Sequence, residues 1–275
     1  MDRYAVIGNP VAHSKSPFIH EAFARATGQR MRYERLLAPL DGFAATVQAF
    51  ADADGLGLNV TIPFKLEAFT LAREHSARAQ AARACNMLAW RGGHWFGDNT
   101  DGTGLVRDLV RNLGETIAGR NLLVLGAGGA ANGIVGALLA EMPHRLVIAN
   151  RTHDKAVALA AQFERDGPIS AQTLASLAGQ QFDIVVNATS LGLGTSVPPG
   201  LWPHRLFAAY AVAYDLIYAD QTTPFLHWAS TEGARRTADG LGMLIEQAAE
   251  SFYLWRGVRP DTAPVFRLLR TASGG

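Results

Sequence analysis

Leu122-Leu-Val-Leu125 running into Gly126-Ala127-Gly128-Gly129-Ala130-Ala131 is the stretch from which the fold can be read. An unbroken apolar run that stops at glycines describes a strand buried on both faces, then a tight turn, then a helix. Gly126 permits the turn and Gly128 lets the backbone come close to a pyrophosphate. The helix start then offers free N–H groups and the positive end of its dipole to phosphate. Ala131 stands where the stricter pattern has a third glycine, a substitution the pattern tolerates. Alone, such a loop fits a plain glycine turn as well as a dinucleotide site. Its surroundings tip the balance. The next strand, Leu146 to Asn150, ends about 20 residues past the turn, where a dinucleotide fold presents its ribose-contacting residue.

That strand tip reads Asn150-Arg151-Thr152. An NAD enzyme normally places an acid here for the ribose hydroxyls, whereas an arginine supplies a cationic plane and donors for a 2′-phosphate. Lys155 adds charge one helical step on and Asp154 counts the other way, so NADP is expected over NAD. The plain alternative for Arg151 is a solvated loop arginine. A further strand, Phe182 to Val186, runs into Asn187-Ala188-Thr189-Ser190. Strand ends of this kind line the crevice of a doubly wound sheet, which puts Thr189 beside the cofactor.

Working outward, short apolar runs alternate with longer amphipathic ones, the pattern of an α/β protein with parallel strands. Strands are expected at Tyr4 to Ile7, Tyr33 to Leu37, Gly57 to Thr61, Met87 to Trp90, Ile184 to Asn187 and Ala211 to Leu216. Ser16-Pro17 reads as the cap and first position of a helix to about Thr27, stopped by Gly28. Leu241, Leu244, Ile245, Ala248, Phe252 and Trp255 follow helical spacing up to Gly257. The turn formers of Asp98-Asn-Thr-Asp-Gly-Thr-Gly104 mark a break. With 275 residues, two domains are expected. One is a substrate-binding and catalytic domain at 1–103, completed by C-terminal helices at 240–275. The other is a Rossmann-type NADP-binding domain at 104–239.

Composition removes several classes of function. Hydrophobic residues make up 48% and charged residues 18%, with a formal charge of +1. That suits a globular protein and lacks the basic excess of a nucleic-acid binder. The single Cys85 allows neither an intrachain disulfide nor a Cys-rich metal site, and the histidines lack metal spacing; no metal is expected. No window reaches the length of a membrane span, and Met1 to Gly8 reads as a charged start and a strand rather than a signal peptide. A cytoplasmic protein acting on a small molecule, a monomer or homodimer, is expected.

Reducing a ketone requires a hydride donor, which a nicotinamide supplies, and a proton donor for the oxygen. Asn59-Val-Thr-Ile-Pro-Phe-Lys65 is an apolar strand that stops at proline and delivers a lysine just past its tip. Alone, Lys65 reads as a surface residue, and Asp101 as a cap of the helix from about Gly104 to Leu113. As an ion pair in one domain they make an acid and its orienting carboxylate. In the oxidative direction the lysine must lose its proton, which partial burial would assist. His13-Ser14-Lys15-Ser16-Pro17 places hydroxyls at a helix start, a suitable place for a carboxylate. Ser16 also fits as a helix cap, and His13 as a structural loop residue. Asn86 and Gln247 are amides in apolar segments and need partners, either substrate hydroxyls or, more commonly, backbone groups. Cys85 reads as a packed thiol.

These segments in this order resemble the shikimate dehydrogenase family. The resemblance runs from Ala5-Val-Ile-Gly-Asn-Pro10 through His13 to Pro17, Asn59 to Lys65, Asn86, Gly97-Asp-Asn-Thr-Asp-Gly102 and Gly126 to Ala130. It continues through Asn150-Arg-Thr152, Asn187 to Ser190, Tyr214-Asp215 with Tyr218, and Asp239-Gly-Leu-Gly-Met243 with Gln247. It implies NADPH-dependent reduction of 3-dehydroshikimate to shikimate in a cleft between a substrate domain and a Rossmann-type domain, in the pathway to chorismate and the aromatic amino acids. By the resemblance Lys65 is the acid/base and Asp101 its partner, both touching substrate. Ser14 and Ser16 bind the carboxylate, while Thr61, Asn86, Tyr218 and Gln247 hold the ring. The cofactor side falls to Gly126, Ala127, Gly128, Gly129, Ala130, Asn150, Arg151, Thr152, Lys155, Thr189, Leu216 and Gly240. The chain departs from the family pattern at Ala77, often an acid, at Lys155, often arginine, and at Ala84-Cys85. Two other readings remain open. One is a quinate/shikimate dehydrogenase with relaxed cofactor use. The other is a silent relative that only binds cofactor or metabolite, against which the presence of both Lys65 and Asp101 counts.

Overall fold

The computed structural model describes residues 1–189, 191 and 202–272. Ser190, the last residue of one quoted motif, lies outside them. The chain divides into two compact units, Met1–Gly104 with Leu244–Gly275, and Leu105–Met243.

The first unit contains β1 (Asp2–Gly8), α1 (Ser16–Ala26), β2 (Met31–Leu37), α2 (Phe43–Asp52) and β3 (Gly55–Val60). After them come α3 (Lys65–Leu71), β4 (Glu74–His75), α4 (Ala77–Ala82), β5 (Met87–Arg91) and β6 (His94–Asp98). Its sheet has the order β2-β1-β3-β5-β6-β4. β1 lies parallel to β2 and β3, but β5 is antiparallel to both β3 and β6, so this sheet is mixed where parallel strands were expected throughout. The reason is a hairpin at Gly92-Gly93, both with positive φ (54° and 83°). Only a turn of that hand matches the twist of paired strands, and glycine adopts it without strain.

α5 (Asp101–Arg107) runs into a wider π-type turn at Asp108–Asn112, so the helix expected to reach Leu113 is irregular in its second half. The second unit then contains β7 (Asn121–Leu125), α6 (Gly129–Ala140), β8 (Arg145–Ala149), α7 (His153–Gln162) and β9 (Ile169–Gln172). β10 (Phe182–Asn187), β11 (Phe207–Asp215), α8 (Pro224–Thr231) and β12 (Arg236–Ala238) complete it. Its sheet, β12-β11-β10-β7-β8-β9, is parallel throughout. Read from β9, this is the 3-2-1-4-5-6 order of a dinucleotide fold, and the order reverses between β7 and β10.

Alternation along these strands explains the layers. Leu122, Val124, Leu146, Ile148, Ile184 and Val186 pack in one core, against α6 and α7. Their immediate neighbours Leu123, Leu125, Val147, Ala149 and Val185 pack on the other face, with Phe225 and Leu226 of α8. Both faces of a parallel sheet are thereby buried, each large side chain contributing about 1.5–3 kcal/mol.

α9 (Leu241–Arg256) and α10 (Ala263–Ala272) follow. α9 seals the first unit: Trp255 donates from its indole to the Leu88 carbonyl at 3.0 Å, and Arg256 donates to Gln29 at 2.8 Å. A Cβ on Gly57 would sit 2.5 Å from the Trp255 indole nitrogen, so this strand position must be glycine for the helix to seat. Among the described residues no helix is long and apolar enough to cross a membrane.

Candidate active site

β3 ends at Val60, and Pro63, which cannot donate to a ladder, turns the chain so that Lys65 becomes the first residue of α3. Asp101 is the first residue of α5. The two meet: Lys65 Nζ donates to Asp101 Oδ2 at 2.6 Å, with 19% and 7% of their side chains exposed. The other carboxylate oxygen, Oδ1, accepts from Asn86 Nδ2 at 2.8 Å. Asn86 in turn accepts the Thr100 backbone N–H at 2.7 Å on its own Oδ1, which fixes the amide the right way round. Gln247 of α9 brings Oε1 to 3.2 Å from Asn86 Nδ2, and holds its own Nε2 on the Leu244 carbonyl at 3.0 Å. Lys65, Asp101, Asn86 and Gln247 therefore form one cluster in the first unit. A polar cluster this buried survives because its members satisfy one another.

The helix-start loop differs from expectation in one respect. Lys15, not Ser16, is the cap residue of α1, and Ser16 and Pro17 are its first two residues. Ser16 is buried at this helix start. Ser14 Oγ accepts the Ser16 backbone N–H at 3.3 Å. Arg35, at the end of β2, donates to the Ser14 carbonyl from Nε at 3.1 Å and Nη2 at 2.6 Å. Thr61 is anchored through its N–H to the Ile7 carbonyl at 3.0 Å. Tyr218 follows β11 and belongs to the second unit.

In the second unit Gly126 has φ +114°, and a Cβ there would come within 2.9 Å of the Ala188 carbonyl carbon and oxygen. The loops after β7 and β10 touch at the switch point, and only glycine fits. At Gly128 and Gly129 a Cβ would meet no protein atom within 4 Å. Nothing in the chain itself demands glycine at those two positions, whereas a pyrophosphate lying against the backbone would. α6 starts at Gly129 without a side-chain cap, which leaves its first N–H groups to such a ligand. Ala127 and Ala130 lie in the same turn. Asn150 donates to the Thr152 carbonyl at 2.8 Å, shaping the β8 tip. Arg151, Thr152 and Lys155 are exposed there, and no carboxylate takes the place an NAD enzyme gives one. These residues fit a 2′-phosphorylated dinucleotide. Thr189 Oγ1 donates to Asn187 Oδ1 at 2.7 Å. Gly240 lies so close to the Leu216 carbonyl that a Cβ would stand 2.2 Å from its oxygen.

Asp215 was only part of a quoted motif, yet it organises this end of the sheet. Fully buried, it accepts from Asn187 Nδ2 at 3.0 Å, Thr223 Oγ1 at 2.6 Å and the Ile217 N–H at 3.1 Å. Burial raises its pKa despite these donors. Sequence reasoning also gave no role to His20, Tyr33, Thr100 or Ser251, all buried around Asn59 and Asn86. A polar residue on the apolar face of α1 or α9 was the available signal. Cys85 is buried, and desolvation pushes its thiol up to about 12, in keeping with a packed role.

Three family models match the chain: the shikimate dehydrogenase substrate binding domain at residues 6–88, shikimate / quinate 5-dehydrogenase at 108–192, and the shikimate 5′-dehydrogenase C-terminal domain at 240–270. The chain belongs to the shikimate dehydrogenase family. A shikimate dehydrogenase (NADP(+)) of Herminiimonas arsenicoxydans is 58% identical, over 98% of this chain and 97% of the relative. One from Janthinobacterium sp. (strain Marseille) is 56% identical over the same shares. Among solved structures, an Ael1 enzyme from Pseudomonas putida superposes with a TM-score of 0.92 at 48% identity, covering 98% of both chains. Shikimate 5-dehydrogenase from Thermus thermophilus, in complex with NADP(H) and shikimate, superposes at 0.84 with 33% identity, over 99% of this chain and all of the other. The two-domain α/β fold of the family, with an N-terminal substrate domain and a Rossmann-like NADP domain, is the one seen here.

Proposed function

We propose that this member of the shikimate dehydrogenase family reduces 3-dehydroshikimate reversibly to shikimate with NADPH, using Lys65 as the acid. The observation that carries the reading is the 2.6 Å contact between Lys65 and Asp101, joined to Asn86 and Gln247 in a buried cluster. Bound NADPH would supply the hydride. The Lys65 ammonium holds a proton towards the ketone oxygen and releases it as the C–O⁻ charge develops, then recovers one from solvent. Asp101 orients that ammonium through a charge-assisted bond. Asn86, Gln247 and Thr61 present amide and hydroxyl groups to ring hydroxyls, and Ser14 and Ser16 take the carboxylate. Tyr218 remains a substrate residue on the family resemblance alone. Gly126 to Ala130, Asn150, Arg151, Thr152, Lys155, Thr189, Leu216 and Gly240 form the cofactor side, with Arg151 reading the 2′-phosphate.

Mixing the protein with shikimate and NADP should raise absorbance at the nicotinamide band, and Lys65→Met should abolish the rise while leaving the NADPH dissociation constant unchanged. NADP binding without turnover in the unmodified protein would establish the silent relative instead. One matched family model carries quinate beside shikimate in its description. Repeating the assay with quinate and with NAD measures that breadth. We place the enzyme in the cytoplasm, where its one buried thiol suits a reducing compartment, as a monomer or homodimer.

A further inference from the structure

Arg78 lies on α4, apart from the residues assigned to substrate or cofactor, yet its side chain ties together three elements around the site. Its guanidinium grips the Asp98 carboxylate at the end of β6 with two parallel bonds, Nε to Oδ1 at 2.7 Å and Nη2 to Oδ2 at 2.9 Å. Nη1 donates to Thr103 Oγ1 of α5 at 2.9 Å, and Nη2 also donates to Glu250 Oε1 of α9 at 3.2 Å. Four of the five N–H groups of an arginine are thereby committed in fixed directions.

Where those partners stand in the chain gives the contacts their meaning. Asp98 comes three residues before Asp101 and Thr103 two after it, so the guanidinium straddles the segment that delivers the carboxylate to Lys65. The Asp98 end is held firmly: buried, it also accepts from the Ser76 hydroxyl and from the Asn99 N–H at 2.6 Å. Asn99 Oδ1 accepts the Asp101 N–H at 3.2 Å, and Asn99 Nδ2 donates to the Ala84 carbonyl at 3.0 Å. Glu250 stands three residues past Gln247, and residues so spaced share a face of a helix. One residue on, Ser251 accepts from Asn59 Nδ2 at 2.9 Å, which fastens α9 to β3. All of these residues belong to the first unit.

We propose that Arg78 is a positioning residue for the reaction: by holding Asp98 and Thr103 on either side of Asp101, and Glu250 beside Gln247, it fixes where Asp101 and Gln247 stand relative to each other about the substrate. The inference rests on the reading that Asp101 steers Lys65 and Gln247 holds the ring. Arg78 touches no reacting atom; it acts on kcat through Asp101 and on KM through Gln247. The bonds it aligns, 2.6 Å from Lys65 to Asp101 and 3.2 Å from Asn86 to Gln247, leave little slack. A displacement of about 1 Å at a catalytic group can lower a rate by about 100-fold. Neutralising Asp98 would need only a cation. A lysine supplies that charge, but one ammonium cannot span two carboxylates and a hydroxyl in the set directions of a planar fork.

Arg78→Lys separates the spanning from the charge. Its kcat with shikimate and NADP should fall about tenfold or more, and its KM for shikimate should rise about threefold. In an Asp101→Asn background the same change should lower kcat by no more than about twofold, because the group through which it acts is already gone. Thr103→Val removes only the α5 arm, at a half-buried position and with little change in shape, so it should fold even where Arg78→Lys does not. Its kcat should fall at least about threefold with KM unchanged. Arg256→Met, which frees the far end of α9 from Gln29, is the control: Tm should drop while kcat and KM stay within about twofold of the parent. Arg78→Lys and Thr103→Val proteins that lose Tm yet keep kcat would overturn the proposal, and so would an equal fractional loss of kcat with Asp101 and with Asn at 101. Either result leaves Arg78 a structural ion pair. If Asp101→Asn by itself keeps kcat within about threefold, the reading of Asp101 is wrong and the positioning role falls with it.

Discussion

Replacing Asp101 by asparagine tests the core of the site with almost no change in shape. The carboxylate accepts from Lys65 on Oδ2 at 2.6 Å and from Asn86 on Oδ1 at 2.8 Å. An amide offers one acceptor. Turned towards Lys65, it aims its NH₂ at the Asn86 NH₂; turned the other way, it aims NH₂ at an ammonium. Either orientation leaves a donor facing a donor, and Asn86 keeps only Thr100 and Gln247 as acceptors. A hydrogen bond to a charged group contributes about 1.5–3 kcal/mol, and the partial exposure of Lys65 screens some of that, so about 2 kcal/mol of stability should be lost. For units of this size that lowers Tm by roughly 4–8 °C. The larger effect is kinetic. A positioned general acid contributes about 10²–10⁴-fold, and an unaligned Lys65 forfeits much of it, so kcat should fall by about 100-fold or more. Turnover followed at the nicotinamide band gives kcat, fluorescence titration gives the NADPH dissociation constant, and thermal melting gives Tm. NADPH affinity should be unchanged, because the residues proposed to hold it lie in the other unit. A variant that loses Tm as expected yet keeps kcat within about threefold would show that the pair is a structural ion pair and that Lys65 needs no steering.

Two further outcomes are expected. Arg151→Ala should raise the KM for NADPH at least about tenfold and leave NADH nearly unaffected, since only the 2′-phosphate loses its charge-assisted donor; the ratio of kcat/KM values for the two cofactors measures it. Buried His20, with its pKa lowered from 6.5 to about 3, binds a proton more readily in the unfolded chain. Between those pH values the unfolded state therefore gains protons as pH falls. Stability contributed by the neutral ring is complete above about 6.5 and declines below it by about 1.4 kcal/mol per pH unit. The gap between the urea midpoints of the parent protein and His20→Phe should grow in the variant's favour by the same amount as pH falls from 7 to 4; parallel curves would place His20 in water.

How far the sequence reached depended on how local the signal was. The glycine turn at 126–129 and the apolar strand before it are local, and the strand order about them is that of a dinucleotide fold. The β5–β6 hairpin escaped because His94 to Asp98 alternates too briefly to show a period, although Gly92-Gly93 marked the turn. The Lys65–Asp101 contact joins residues with no common periodicity; it was proposed from what the chemistry needs and from family resemblance. Asn59 lay within a quoted motif, but its partners Tyr33, His20 and Ser251 come from β2, α1 and α9. A hydrogen bond spanning most of the chain leaves no trace in spacing. Ser16 misled for a different reason: a serine before proline suits a cap, yet the helix is capped one residue earlier, at Lys15, so Ser16 lies inside its first turn.

The bond from Asn59 to Ser251 joins residues 192 positions apart. On a ribosome adding about 5–20 residues each second, β3 emerges roughly 10–40 s before the helix that must cover it. Through that interval the nascent sheet exposes the strand face that Trp255 and Phe252 will later occupy, while the Rossmann-like unit, continuous in sequence, can complete itself. The domain synthesised first is thus the last to finish folding.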